Sequence, residues 1–223
     1  MSKRALFAFA AVFAVGLVGL MVAATLNRTS EAFTLGVVPG GPLARLGSER
    51  ELCQKPIEVI ETFERVTLQV GTFARAGQPF LLDVREVTSG RSIVQARVEG
   101  GYADNAVHAV TLASAVPKGA KVAVCVRNLG DRPIAPYGNV GLSNQTSAAY
   151  QDGRQIDGDM ALVFLRAEPA TVLGLVPTIV DRASLFHGAW ASVATYWVLL
   201  VVLLVGPPLL GGFAVRAAFT DTT

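Results

Sequence analysis

Two long stretches of the chain carry no charged residue, one near each end. The first runs from Ala5 to Leu26, and its 22 residues would form about 33 Å of α-helix, which is enough to cross the hydrocarbon core of a bilayer. The second runs from Gly188 to Val215. The pattern predicts membrane-spanning helices at residues 1–26 and 188–215, followed by a cytoplasmic tail at residues 216–223.

The residues beside these stretches predict their orientation. Lys3 and Arg4 precede the first stretch, so we expect the N-terminus to stay in the cytoplasm. Aromatic residues stand near the start of the second stretch and Arg216 follows its end, which is the polarity of a helix that returns to the cytoplasm. We therefore expect a cell-membrane protein with both termini cytoplasmic and its middle domain extracytoplasmic.

A cleaved signal peptide is an alternative for residues 1–26. The charged start, the apolar run and the small residues before Thr25 also fit an exported precursor. Both alternatives export the middle domain.

Between the two stretches, short segments alternate apolar and polar residues or are rich in β-branched residues. They predict strands at Arg65–Thr72, Pro79–Val87, Ser92–Glu99, Val107–Leu112, Lys121–Arg127 and Met160–Arg166. Turn signals rich in Gly, Pro, Asn and Asp separate them. The period of two places six valines inward, namely Val84, Val94, Val98, Val122, Val124 and Val126. We expect a mainly β protein with a single β-sandwich or jelly roll at residues 53–167.

The segments that flank this domain differ from it in pattern. Residues 27–52 contain two prolines and four glycines, so we expect an irregular connector that lifts the domain off the bilayer. Residues 168–187 place apolar side chains on one helical face, including Val172, Val176 and Val180. They predict an amphipathic juxtamembrane helix that packs on the sandwich or lies in the lipid headgroup region.

The charges of the middle domain cancel. The whole chain has a formal net charge of +2, but residues 27–187 contain 16 Lys and Arg against 16 Asp and Glu. A neutral domain does not attract phosphate backbones, which argues against nucleic acid as a partner.

Cys53 and Cys125 are the only cysteines, and both lie in the part that we expect outside the membrane. A disulfide is the favoured interpretation, worth about 4 kcal/mol in the chain-entropy model. Free thiols are the alternative. Neither cysteine has a second Cys or a His within four residues, so a metal site is a weaker interpretation.

Motifs for catalysis are absent from the sequence. It has two histidines, His108 and His187, neither with a local partner, and no Gly-x-Ser-x-Gly, His-Glu-x-x-His, Cys-x-x-Cys, phosphate loop or dinucleotide fingerprint. We expect no enzymatic activity and no cofactor. A carboxylate-dependent glycan hydrolase remains the alternative, since its two acids could come from distant strands.

One acidic loop has the residue types of a calcium site. Asp152, Asp157 and Asp159 offer oxygen ligands, but their spacing differs from the twelve-residue loop of helix-loop-helix calcium sites. Aspartates beside glycines also form ordinary turns, and we favour that interpretation.

A second group of loop residues has the chemistry of sugar recognition. Tyr102, Asp104 and Asn105 lie in one predicted loop, and Tyr137 and Asn139 lie in another. Aromatic faces stack on sugar rings, while carboxylates and amides bond to hydroxyls. The alternative is structural, with each tyrosine packed on the core and its hydroxyl bonded to the backbone.

Several segments resemble a group of actinobacterial membrane-anchored β-sandwich proteins that are associated with cell-envelope glycan assembly. The segments are Phe63-Glu-Arg-Val-Thr-Leu-Gln-Val-Gly-Thr, Gly100-Gly-Tyr-Ala-Asp-Asn, Val122-Ala-Val-Cys-Val-Arg-Asn, Pro136-Tyr-Gly-Asn and Met160-Ala-Leu-Val-Phe-Leu-Arg. The resemblance covers most of the chain from Cys53 onward. It implies an envelope role and supplies no catalytic residues.

These observations together predict a non-enzymatic envelope protein. Its β-sandwich would bind a glycan, a glycolipid or an envelope-assembly partner. The alternative is a structural accessory subunit that docks onto a membrane glycosyltransferase or transporter through the two spans.

Overall fold

The computed structural model describes residues 3–141, 146–185 and 192–220. Contacts between residues divide the chain into two units. One unit is Ser30–Glu168, which contains the β domain, and the other combines the chain up to Thr29 with the chain from Pro169 onward.

The described residues form thirteen strands and three helices. In chain order these are α1 (Lys3–Leu26), β1 (Arg28–Thr34), β2 (Gly41–Pro42), β3 (Glu51–Glu58), β4 (Phe63–Gly71), β5 (Phe80–Glu86), β6 (Ser92–Val98), β7 (Ala106–Val116), β8 (Lys121–Asn128), β9 (Ala135–Asn139), β10 (Ala148–Gln151), β11 (Arg154–Gln155), β12 (Asp159–Met160), β13 (Val163–Thr171), α2 (Val172–Leu185) and α3 (Val193–Thr220).

The strands form two antiparallel sheets, so the predicted β-sandwich is confirmed. One sheet has the order β11-β10-β3-β8-β5-β6. The other sheet has the order β1-β13-β4-β9-β12, and in addition β7 pairs with β4 and β2 pairs with β9. The predicted strands match β4 to β8 closely. The predicted segment Met160–Arg166 is divided between the end of β12 and the first part of β13.

Alternation along the strands builds the core. Val84, Val122, Val124 and Val126 are fully buried on the inner face of the six-stranded sheet, as the period of two predicts. From the other sheet come Phe33, Phe63 and Phe164, whose rings contact one another with centroids 4.3 to 5.9 Å apart. Apolar burial of this kind contributes about 25 cal/mol per Å² and dominates the stability of the fold.

A disulfide joins Cys53 to Cys125. The two residues lie directly opposite each other on β3 and β8, which are neighbours in the six-stranded sheet. The bond therefore tethers two strands that already pair and does not connect the two sheets. A polar contact spans the sheets instead, because the buried amide of Gln54 on β3 donates to Asp159 on β12 and accepts from the Met160 backbone.

Residues 27–52 are not an irregular connector, which corrects the sequence interpretation. They contain β1 and β2, and Leu46 forms an isolated bridge with Ile134. Ala32, Phe33 and Leu46 are buried in the core of the sandwich. The prolines and glycines interrupt the alternation, so the segment lacks a strand pattern although its few large apolar residues fill the core.

The second unit contains the three helices. Phe7–Leu26 in α1 and Val193–Ala214 in α3 are long and apolar enough to cross a membrane, and neither is buried in the protein. Helix α3 continues through Pro207 and Pro208. The ring of Phe9 on α1 lies over Gly211 on α3, where a Cβ would be only 2.7 Å from Cζ.

Helix α2 begins later than the sequence predicts. Residues 168–171 are the end of β13, and the helix starts at Val172. Val180 is buried and Val176 is half-buried, whereas Val172 and Ile179 are exposed. His187 and Trp190 lie outside the described residues.

Candidate functional site

Tyr102 belongs to the packing of the sandwich. Its hydroxyl donates to the carbonyl oxygen of Gln78 at 2.8 Å, and its ring meets Phe80 and His108 edge-on. Gly77 lies so close that a Cβ there would be 2.3 Å from the ring. Burial raises the pKa of Tyr102 to about 12. These contacts match the structural interpretation of this tyrosine.

Asp104 holds the loop that follows β4. One carboxylate oxygen accepts from the backbone N–H and the hydroxyl of Thr72, and the other accepts from the backbone N–H of Ala74 at 2.7 Å. The backbone N–H groups of Thr72 and then Ala74 are the main reasons why the pKa of Asp104 lies below its usual value. Asp104 is therefore ionised at neutral pH and fixes the Thr72–Arg75 loop.

Asn105 and Tyr137 support the same corner. The Tyr137 hydroxyl donates to the Asn105 side-chain oxygen at 2.6 Å, and the Asn105 backbone carbonyl accepts from Gln69. Asn105 has a φ of 60°, a left-handed conformation that asparagine tolerates better than most residues. The structure thus brings Asp104, Asn105 and Tyr137 together around the end of β4, whereas Tyr102 packs against Phe80 and His108.

Asn139 has a different environment. It lies at the end of β9, opposite Asp159 in the register of β12. Its side chain donates to the backbone carbonyl of Val38 at 3.4 Å. Val38 lies in the segment that precedes β2.

The three aspartates of the acidic loop differ in their partners and in their burial. Asp152 accepts from the Glu51 backbone N–H and pairs with Arg50, Asp157 is exposed, and Asp159 is buried with Gln54. Within the described ranges, the only cluster of acids and cysteines close enough to share a metal ion is Glu51, Cys53 and Cys125. Both sulfurs of that cluster are in the disulfide, so neither is a thiolate ligand.

A pocket of about 160 Å³ opens beside the loop that Asp104 holds. We call it the Phe73 pocket. Its lining consists of Arg45, Thr72, Phe73, Arg75 and Pro133. Thr72, Phe73 and Arg75 are close together in the sequence. Arg45 and Pro133 are distant from them in the sequence, and only the fold brings them to the pocket.

The loop presents Phe73 in an unusual conformation. Phe73 has a φ of 57° and Ala74 a φ of 60°, and left-handed backbone is uncommon for residues with a side chain, above all for a bulky one. Phe73 is nevertheless 46% exposed. The Arg45 guanidinium carbon lies 5.3 Å from its ring centroid, within the range of a cation–π contact.

Backbone pairing brings the other wall of the pocket into place. Leu46 and Ile134 exchange two backbone hydrogen bonds of 2.8 and 3.1 Å in an antiparallel bridge, which holds together the two segments that contribute Arg45 and Pro133 to the pocket. The buried side chain of Asn128 donates to the carbonyls of Leu46, Gly47 and Arg132. One fully buried amide thus fixes both segments.

The charges at the pocket are positive. Neither the Arg45 nor the Arg75 guanidinium forms an ion pair with a carboxylate in the described part of the chain. Arg132, which adjoins the lining residue Pro133, pairs instead with Asp131 at 3.9 Å. Arg45 and Arg75 therefore retain donors for a ligand.

Two further acids share an arginine on the outer face of the six-stranded sheet. Arg85 forms two contacts with Glu51 and one with the buried Asp83. Hydrogen bonding to Glu51 is the largest cause of the raised pKa of Arg85. These carboxylates are paired with a permanent cation.

Sequence reasoning missed Arg45, Phe73 and Arg75. One signal was available for Phe73, because it is a large apolar residue within the turn-like series Thr-Phe-Ala-Arg-Ala-Gly that follows a strand. Arg45 lies far from the loop in sequence and reaches the pocket only through the Leu46–Ile134 bridge.

No protein-family model matches this chain, and no curated protein matches it.

Proposed function

We propose that the protein is a non-enzymatic, membrane-anchored envelope protein whose β-sandwich binds a glycan or glycolipid at the Phe73 pocket. The observation that carries the proposal is an exposed aromatic ring held in a left-handed loop by the Asp104 carboxylate. Strained backbone of this kind costs about 1 to 3 kcal/mol per residue and recurs at ligand sites. Phe73 offers the apolar face on which a sugar ring stacks.

The location outside the cytoplasm has separate support. Two exposed apolar helices would anchor the chain, and disulfides persist mainly in oxidising compartments. Both agree with a domain that meets glycans at the outer surface of a membrane. A retained α1 would contact α3 where the ring of Phe9 lies over Gly211.

The absence of catalysis is also part of the proposal. Glu51 and Asp83 share Arg85 on an open sheet face, whereas glycoside hydrolysis needs two acids flanking a bound sugar. The Phe73 pocket is lined by no carboxylate. Its chemistry therefore supports binding.

Glycan-array binding by the full-length protein in phosphatidylcholine nanodiscs tests the proposal. We expect retention of a defined set of oligosaccharides and at least a tenfold loss with Phe73→Ala. Val107→Ala is the control, because Val107 is 66% exposed on β7 and does not line the pocket. The proposal fails if no glycan is retained, or if Phe73→Ala binds as tightly as the unmodified protein.

A further inference from the structure

Resting on the proposed function, we further propose that the Phe73 pocket recognises an acidic sugar. Its carboxylate or phosphate would bind to Arg45 and Arg75 while its ring contacts Phe73. The inference assigns a ligand class, an anionic saccharide, and a role to two arginines that stand thirty positions apart in the chain.

The first argument is the state of the two guanidinium groups. Both line the same pocket, and within the described residues no carboxylate neutralises either of them. Asp104, the acid behind the loop, directs its oxygens to Thr72, Ala74 and Asn105. Two cations facing one pocket repel each other, and an oxyanion between them would remove that repulsion.

The second argument is the orientation of Arg45. Its guanidinium carbon lies over the ring of Phe73, 5.3 Å from the centroid, and this cation–π contact restrains the side chain before any ligand arrives. A guanidinium can form paired hydrogen bonds with a carboxylate or phosphate. Less side-chain freedom is then lost on binding.

The third argument is the size of the pocket. At about 160 Å³ it is smaller than the roughly 300–1,000 Å³ of sites that enclose a drug-sized ligand. It accommodates one terminal sugar with its acidic group, and not a chain of several residues. The apolar part of the lining, Phe73 and Pro133, suits a sugar ring, while the polar part suits its charge.

Matched sugars test the inference. The probes are oligosaccharides that end in glucuronic acid or in glucose, which differ only at carbon 6, together with a mannose and mannose 6-phosphate pair. Binding is measured with full-length protein in phosphatidylcholine nanodiscs. We expect each acidic probe to bind at least tenfold more tightly than its neutral partner, and this preference to weaken as salt increases.

Variants assign the effect to the pocket. Arg45→Gln and Arg75→Gln should each reduce binding of the acidic probes about tenfold and leave the neutral probes unchanged. Arg91→Gln is the control, because Arg91 is an exposed arginine in the turn after β5, at the end of that strand remote from the loop. Unfolding midpoints of all variants establish that the fold is retained.

Each contrary outcome overturns a different claim. Equal binding of acidic and neutral probes, with no effect of Arg45→Gln or Arg75→Gln, overturns the anionic ligand and leaves the glycan-binding function standing. Failure of every glycan to bind overturns both. If replacing phosphatidylcholine with phosphatidylglycerol in the nanodisc abolishes binding of the acidic probes, and Arg45→Gln removes that effect, a lipid headgroup occupies the pocket and the saccharide claim is overturned.

Discussion

At the scale of single residues, one corner of the sandwich concentrates unusual backbone. Phe73, Ala74 and Asn105 all have φ values of 57° to 60°, and Asp104 hydrogen-bonds to the loop that contains the first two. Its carboxylate supplies the acceptors that the backbone N–H groups of the loop require. Without Asp104, the loop would lose the contacts that offset its strain.

The sequence identified part of this corner by its chemistry. Asp104 and Asn105 lie in a predicted sugar-binding loop, and in the structure their oxygens accept from Thr72, Ala74 and Tyr137. Residue type indicates that a side chain will accept hydrogen bonds, but the partner depends on the fold. Phe73 and Arg45 were overlooked because their juxtaposition requires the Leu46–Ile134 pairing.

His108 is the residue for which the structure makes the clearest pH prediction. Its ring packs against Tyr102 and Phe80, its Nε2 is buried with no hydrogen-bond partner among the described residues, and burial lowers its pKa. The unfolded chain therefore binds a proton near pH 6.5 while the folded protein does not. Stability should fall as the pH drops below about 6.5, until the lowered folded pKa is reached.

His108→Phe should remove this contribution. It keeps an aromatic ring at the site and deletes the unsatisfied nitrogen, so we expect it to raise the free energy of unfolding by about 1 kcal/mol at pH 8. Urea unfolding of the full-length protein between pH 5.5 and 8 provides the measurement. An unchanged pH dependence in the variant would show that His108 is protonated in the folded protein as well.

At the scale of elements, regular alternation was predicted well and interrupted segments were not. Strand β4 follows from its period of two, because buried residues alternate with half-buried ones along most of it. Strand β8 is buried on both faces, and its run of β-branched residues identifies it. Strand β1 lacks a strand pattern because five of its seven residues are polar and only Ala32 and Phe33 are buried. Glycines and prolines separate these two residues from Leu46. The start of α2 was misplaced because Glu168–Thr171 fits a helical face as readily as a strand.

The contact between α1 and α3 gives a prediction at this scale. Gly211 faces the ring of Phe9, whereas nothing lies within 4 Å of a Cβ built at Gly212. Gly211→Leu should overpack the contact and destabilise the helical unit by about 1 to 3 kcal/mol. Gly212→Leu is the matched control and should change little. Titration with dodecyl sulfate, followed by circular dichroism, measures the difference.

A double-mutant cycle attributes the effect to this pair. In a Phe9→Ala background the added side chain has no ring to meet, so Gly211→Leu should lose most of its cost. If Gly211→Leu lowered the stability equally in both backgrounds, Gly211 would be required by α3 itself and not by its contact with Phe9. The result also bears on the signal-peptide alternative, since a cleaved α1 makes Phe9→Ala silent in the mature protein.

At the scale of the whole molecule, the disulfide connects stability to location. It joins neighbouring strands, and its cysteines stand 72 positions apart. Both residues are nearly inaccessible, Cys53 at 8% and Cys125 at 1% exposed. The bond therefore constrains the unfolded chain more than it shapes the native one, where the β3–β8 ladder already fixes the two strands.

An exported domain should carry this bond in every copy. We expect no reaction of the denatured, unreduced protein from cells with a polyethylene-glycol maleimide, and addition of two labels after reduction. Cys53→Ala together with Cys125→Ala should lower the free energy of unfolding by about 2 to 5 kcal/mol. Labelling before reduction would indicate a reducing compartment and argue against the extracytoplasmic placement. Labelling tests the location, and the loss of stability tests whether the bond, once formed, constrains the unfolded chain.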